Sequence, residues 1–162
     1  MDIGLVTLVV ADYDEAIAFY VDKIGFELVD DSPSLTNDGQ PKRWVVVRPP
    51  GATTGLLLGQ ASDDAQRGAV GNQSGGRVGM FLNTDDFSRQ YQRMVEAGVV
   101  FIGDPRDEPY GRVVVWEDLY GNRWDLIEPR KALSEAAEPL AHYPPAEDLG
   151  DILISAEMIV AR

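Results

Sequence analysis

The sequence predicts an α+β protein built from two tandem βαβββ modules and a C-terminal extension. Two observations predict this class. Short apolar runs of strand length flank one helical pattern in each half, and the two halves repeat the same order of elements. The modules span about residues 3–60 and 77–129 and form one predicted domain, 1–129, while residues 130–162 are the extension. A length of 162 residues suits one domain, since domains commonly have about 100–200 residues.

The first module begins with an apolar, β-branched run at residues 5–12, which predicts a strand. Asp12 is a predicted helix N-cap, with Glu15 three residues later as in a capping box. Gly25 is placed to end the helix, and a strand resumes at 26–29. The helix has an apolar stripe at helical spacing, formed by Tyr13, Ile17, Tyr20 and Ile24. Strands at 43–48 and 56–58 follow, on either side of a Pro-Pro-Gly turn.

The second module repeats this order. A strand at 78–82 leads to Asp85 and Asp86 as N-cap candidates, and Gly98 ends the predicted helix. The helical stripe is formed by Phe87, Tyr91 and Met94. Strands are predicted at 99–102, 111–116 and 123–128, while the Ser-, Asn-, Asp- and Gly-rich segments 31–41 and 62–76 are predicted loops.

Composition excludes several classes of function. With 14 basic and 27 acidic residues the net charge is −13, so nucleic acid and anionic membranes are not expected partners. The absence of cysteine excludes disulfides and thiolate metal sites. His142 is the single histidine, which excludes multi-histidine metal sites within one chain. We see no signal peptide and no apolar run long enough to span a membrane, and we expect a cytoplasmic protein.

Several short segments resemble the vicinal oxygen chelate superfamily, the group of glyoxalases, bleomycin resistance proteins and extradiol dioxygenases. The resemblance covers about residues 3–129. Its motifs are Val-Ala-Asp at 10–12, Ala-Phe-Tyr at 18–20, Ile-Gly-Phe at 24–26, the segment from Arg43-Trp44 to Pro50-Gly51, and Tyr-Gly-Asn-Arg-Trp-Asp-Leu at 120–126. The resemblance implies modules whose strands form an open, curled mixed sheet around a pocket, and it implies a homodimer.

The family's usual metal ligands have few counterparts here. The resemblance maps the four ligand positions to Leu5, Leu57 (within 56–58), Gly79 and Asp125. Of these, only the aspartate has a side chain that can bind a metal ion, and zinc generally takes three or four protein ligands. We therefore expect no cofactor, and a divalent metal only if the protein is an enzyme with an unrecognised ligand set.

Six residues are candidate ligand-binding groups: Thr7, Trp44, Arg48, Tyr110, Trp116 and Asp125. Asp125 could act as an acid, a base or an anchor for a cation, or could simply pair with an arginine. Arg48 and Trp116 each end a run of valines, which suggests equivalent pocket positions for a carboxylate clamp and a stacking surface. Both tryptophans fit core packing as well.

Two functions remain open from the sequence. The first is a metal-free protein that binds a small molecule in a pocket or dimer groove. The second is a glyoxalase-like lyase or dioxygenase that uses Asp125, with an unrecognised metal or none. In the extension, residues 131–138 could form a helix, and the apolar residues within 152–160 are expected to pack on the domain or on a dimer mate.

Overall fold

The computed structural model describes residues 1–130 and contains two four-stranded mixed sheets. The first sheet consists of β1 (Leu5–Val10), β2 (Glu27–Leu35), β3 (Pro41–Arg48) and β4 (Gly55–Gln60). The second consists of β5 (Val78–Asn83), β6 (Val100–Glu108), β7 (Gly111–Glu117) and β8 (Arg123–Pro129). The strand orders are β1-β4-β3-β2 and β5-β8-β7-β6. The repeated order confirms the tandem βαβββ fold, and the described strands form no closed barrel.

Each sheet pairs its strands in the same way. β1 is parallel to β4 and β5 is parallel to β8, while the remaining neighbours are antiparallel. The first and fourth strands of each module are parallel neighbours. The helix and the two intervening strands form the connection between them. The predicted duplication is therefore present in the topology as well as in the sequence.

Helices begin at the predicted aspartates. Asp12 accepts hydrogen bonds from two backbone amides at the start of α1 (Tyr13–Ala18), and Asp86 accepts one at the start of α3 (Phe87–Glu96). After α1 the chain continues as a π-helical turn, Phe19–Ile24, which ends at Gly25 with φ of 93°. That left-handed conformation favours glycine, as predicted.

Two predicted loops contain regular structure. The first is the predicted loop 31–41, in which β2 continues to Leu35 and pairs with β3 through Leu35 opposite Pro41. Backbone hydrogen bonds between β2 and β3 stabilise this part of β2 although its composition is polar. The segment 62–76 contains a short helix, α2 (Asp64–Ala69), which Asp63 caps through the backbone N–H of Gln66.

The helices α1 and α3, the π-helical turn and the facing sides of both sheets share one apolar core. Phe19 stacks on Trp116, and the ring of Tyr20 lies tilted beside Trp124, so aromatic side chains from both modules are in contact. Tyr20 is fully buried and donates a 2.7 Å hydrogen bond to Asp118, which lies in the turn before β8. Burial and this carboxylate raise the pKa of Tyr20 well above its usual value. These contacts hold the two modules together through the faces of the sheets on which the helices pack.

The segment between the modules covers one edge of the first sheet. The side chain of Gln73 accepts from the backbone N–H of Val9 and donates to the carbonyl of Thr7. These bonds satisfy groups on the outer edge of β1, which has a strand neighbour on one side only.

No helix in the described part of the chain is both long enough and apolar enough to cross a membrane. The predictions for residues 131–162, including His142 and the packing of the extension, lie outside the described residues.

Candidate functional site

Each sheet has an outer face that points away from the shared core. In the first sheet this face carries Leu5, Thr7, Trp44, Val46, Arg48 and Leu57; in the second it carries Gly79, Phe81, Arg106, Val115 and Asp125. The assignment follows from strand alternation and register, because neighbours on the central strands, such as Val45, Val47 and Leu126, belong to the core. The two outer faces are where the structure places most of the predicted binding residues.

The first outer face contains a cavity of about 230 Å³ between the ends of its strands. Its apolar walls include Leu5, Val46 and the ring of Trp44, which is 38% exposed. Asp30 and Arg48 supply its charged groups. Thr7 is exposed on the same face, opposite Leu57 in the strand register.

Arg48 has no salt-bridge partner within residues 1–130. Its Nε is shielded from solvent and has no hydrogen-bond partner in that part of the chain. Glu27 lies opposite it in register, yet the two side chains form no ion pair. A guanidinium in this state is a donor group that the fold does not use.

The second outer face contains the buried carboxyl group of Asp125. In the strand register the residue lies between Phe81 on β5 and Val115 on β7. The side chain is 8% exposed, and its Oδ1 has no hydrogen-bond partner among the described residues. Phe81 is 48% exposed beside it. A buried acceptor next to an exposed aromatic ring is a typical feature of a ligand site.

Burial raises the pKa of Asp125 to about 6, and the nearby positive charge of Arg106 lowers that pKa in part. Arg106 makes its own ion pair with Glu108, at 2.8 Å. Tyr110 is half-buried at the turn between β6 and β7, and burial followed by the charge of Glu108 raises the pKa of its hydroxyl. Asp125 therefore changes charge near neutral pH, with a cation and a phenol close by.

Trp116 does not lie on an outer face. Its side chain is fully buried and stacks on Trp124 with ring centroids 4.9 Å apart. The proposed equivalence with Arg48 is wrong by one residue. Trp116 pairs with Trp124, as Val47 pairs with Leu56, and so its counterpart in the first module is Val47. A shift of one residue moves a strand side chain to the opposite face.

Leu5, Leu57, Gly79 and Asp125, to which the resemblance maps the family's metal ligands, lie on the outer faces, but their side chains do not form a ligand set. Leu5 and Leu57 offer no donor atom. A Cβ at Gly79 would lie 1.9 Å from the Oγ of Ser74, so the linker side chain occupies the space a larger ligand would need. Within residues 1–130 no three acidic or histidine side chains cluster as a metal would require. Asp125 remains as a single carboxylate, and the described residues do not fit a metal of the family type.

Three residues of the outer faces were not found from sequence. Asp30 lies between the predicted strand at 26–29 and the predicted loop at 31–41, and a register shift between Leu28 and Asp30 changes which side chains face outward. Arg106 follows a similar irregularity, between Ile102 and Arg106. Phe81 was identifiable from the sequence, because it lies two residues after Gly79 on the same strand and therefore on the same face.

The fold and the two outer faces define a protein of the paired-βαβββ class. The chain matches the model of the Glyoxalase/Bleomycin resistance protein/Dioxygenase superfamily over residues 2–126. It belongs to that superfamily. This confirms the resemblance that the sequence motifs indicated.

Relatives and solved structures agree with this assignment. An uncharacterized protein of Shewanella frigidimarina is 53% identical over 124 residues, covering 76% of this chain and 90% of the relative. TnmS3, an antibiotic-binding protein from a Streptomyces species, is 32% identical with a TM-score of 0.65, covering 80% and 97% of the two chains. A superfamily member from Sphaerobacter thermophilus is 30% identical with a TM-score of 0.60, covering 79% and 97%.

Proposed function

We propose that this protein binds a small aromatic or apolar molecule against its outer faces, without a metal. The observation that carries the proposal is that an exposed aromatic ring on each face lies near a charged residue with a shielded side-chain atom that has no hydrogen-bond partner in the described chain. Trp44 lies near Arg48 in the cavity of the first sheet, and Phe81 lies beside Asp125 in the second. Apolar walls with a few fixed polar groups are typical of small-molecule sites.

Similarity to TnmS3 supports the same class of function. That protein is an antibiotic-binding protein and shares 32% identity over most of both chains. The leucines and glycine at the family's ligand positions point in the same direction, because none of the three has a side-chain donor atom for a metal and the leucines add apolar surface.

A second copy of the chain is the proposed cover for these faces. Leu5, Trp44 and Phe81 are each more than a third exposed, as is Val29 at the cavity. Apolar side chains grouped in this way are typical of interaction surfaces. Sedimentation equilibrium should give twice the chain mass of 17.8 kDa, and a monomer at micromolar concentration would contradict the homodimer.

A thermal-shift screen of planar aromatic and cationic compounds tests the binding function. We expect bound compounds to raise the melting temperature, since a ligand that binds only the folded state stabilises it. Heteronuclear NMR on the best compound should show its largest shifts at Thr7, Trp44 and Phe81. Val95, exposed on α3, is the matched control for a surface residue away from both faces. Shifts centred on α3 would contradict the proposal.

Catalysis by Asp125 is the second candidate, and the raised pKa of its carboxyl group favours it. A group with a pKa of about 6 can exchange a proton with a substrate near neutral pH. The reaction class would be a lyase or isomerase step of glyoxalase type, or a dioxygenase step with a metal held by an unrecognised ligand set. Conversion of a bound compound that stops in Asp125→Asn, while binding persists, would favour an enzyme over a binding protein.

A further inference from the structure

The guanidinium of Arg48 is the charged group on the first outer face that the fold leaves unused. It lines the cavity of about 230 Å³, has no ion pair in the described chain, and has a shielded Nε without an acceptor. An arginine side chain stays positively charged at all relevant pH values. Packing therefore holds a cation at the wall of a cavity without an ion pair to any residue of the described chain.

The surroundings of Arg48 indicate what kind of counter-ion would fit. Trp44, Val46 and Arg48 alternate along β3 and share one face, so a flat ring against the indole lies along the same strand as the guanidinium. Carboxylates bind arginine through two parallel N–H···O bonds, which a planar acid can form while its ring lies flat.

We propose that this cavity binds the carboxylate of a small aromatic acid, with the acid group on Arg48 and the ring against Trp44. The inference rests on the proposed binding function and names the class of ligand. The cavity is smaller than the roughly 300–1,000 Å³ of drug-sized pockets, which restricts the bound part to one ring or two fused rings.

Two acidic residues lie close to this site and set its selectivity. Asp30 lines the cavity, and Glu27 is opposite Arg48 in register. Asp30 accepts a hydrogen bond from Ser32, which holds its carboxylate on the same face. The negative charge of Asp30 repels an incoming carboxylate. The acid therefore binds only in a position where its carboxylate contacts Arg48 directly.

Calorimetric titration of the full-length protein with 2-naphthoate and its neutral amide, 2-naphthamide, tests the inference. We expect the acid to bind about tenfold more tightly than the amide, the value of one charge-assisted hydrogen-bonded contact. Arg48→Gln should abolish that preference, Arg48→Lys should keep part of it, and Asp30→Asn should increase it. Arg77→Gln, at an exposed linker position, is the control with the same change of charge.

Equal binding of acid and amide to the unaltered protein, or an unchanged preference in Arg48→Gln, would overturn the anion site. Loss of preference in Arg77→Gln as well would also overturn it, because net charge would then explain the effect. If the protein binds neither probe, the anion site is overturned. The broader binding function is not, because the screen and the NMR map decide that function. Failure of that screen together with the titration would remove both proposals.

Discussion

The hydroxyl of Tyr120 in the second module bonds to both backbone polar groups of Asp12 in the first. It accepts from the Asp12 N–H at 3.1 Å and donates to the Asp12 carbonyl at 3.1 Å. Asp12 is also the N-cap of α1. One phenol thus links the turn before β8 to the junction of β1 and α1, and so holds the two modules in a defined relationship.

Tyr120→Phe should lower the free energy of unfolding by about 1–2 kcal/mol, since each lost hydrogen bond contributes about 1 kcal/mol. Hydrogen exchange gives the specific readout, because the Asp12 amide loses its acceptor and should exchange faster. Tyr13→Phe is the control, since that hydroxyl makes one bond, to the Arg43 carbonyl. An unchanged exchange rate at Asp12 would contradict the link.

Gly71→Ala should destabilise the protein more than Gly75→Ala. Both glycines have left-handed φ angles, of 74° and 63°, so both substitutions incur a similar backbone cost. A Cβ at Gly71 would lie 1.8 Å from the carbonyl oxygen of Tyr120, whereas nothing lies within 4 Å of one at Gly75. Chemical denaturation should show a difference of about 1–3 kcal/mol. Equal effects would mean that the linker does not pack on the turn as described.

Asp125 should make stability fall as pH rises from about 4 to 6. Its pKa is raised to about 6 in the folded protein and is about 3.9 in an unfolded chain. The folded state therefore binds more protons in this window, and ionisation of the buried group costs up to about 3 kcal/mol once both states are deprotonated.

Asp125→Asn removes this titration, and denaturation of both proteins across that pH range measures the effect. The variant should gain stability relative to the parent between pH 4 and 6, and the difference should stay constant above that range. A difference that is independent of pH, or one that favours the parent at higher pH, would show that Arg106 pairs with Asp125 and compensates its charge.

Local signals predicted the fold well because they act over a few residues. Asp12 and Asp86 cap their helices as expected, and Gly25 ends the first helical segment with a positive φ. The topology follows from the repeat of these elements, so two copies of one pattern were enough to identify it.

The outer faces were harder to predict, because a face depends on strand register. Trp116 fitted either a pocket or core packing from the sequence, and it lies in the core, one residue out of phase with Arg48. Arg106 approaches Asp125 only because β6 is irregular before it, and a bulge of that kind leaves little trace in an apolar pattern.

Trp44 fluorescence, recorded during titration with the best compound from the screen, tests the central claim most directly. Trp116 and Trp124 are 0% and 4% exposed, whereas Trp44 is 38% exposed, so a ligand on the first outer face should alter the emission of Trp44. We predict a saturable change that is the same with EDTA or with added zinc, and that is absent in Trp44→Phe. A change that requires the metal, or that persists in Trp44→Phe, would contradict metal-free binding at this face.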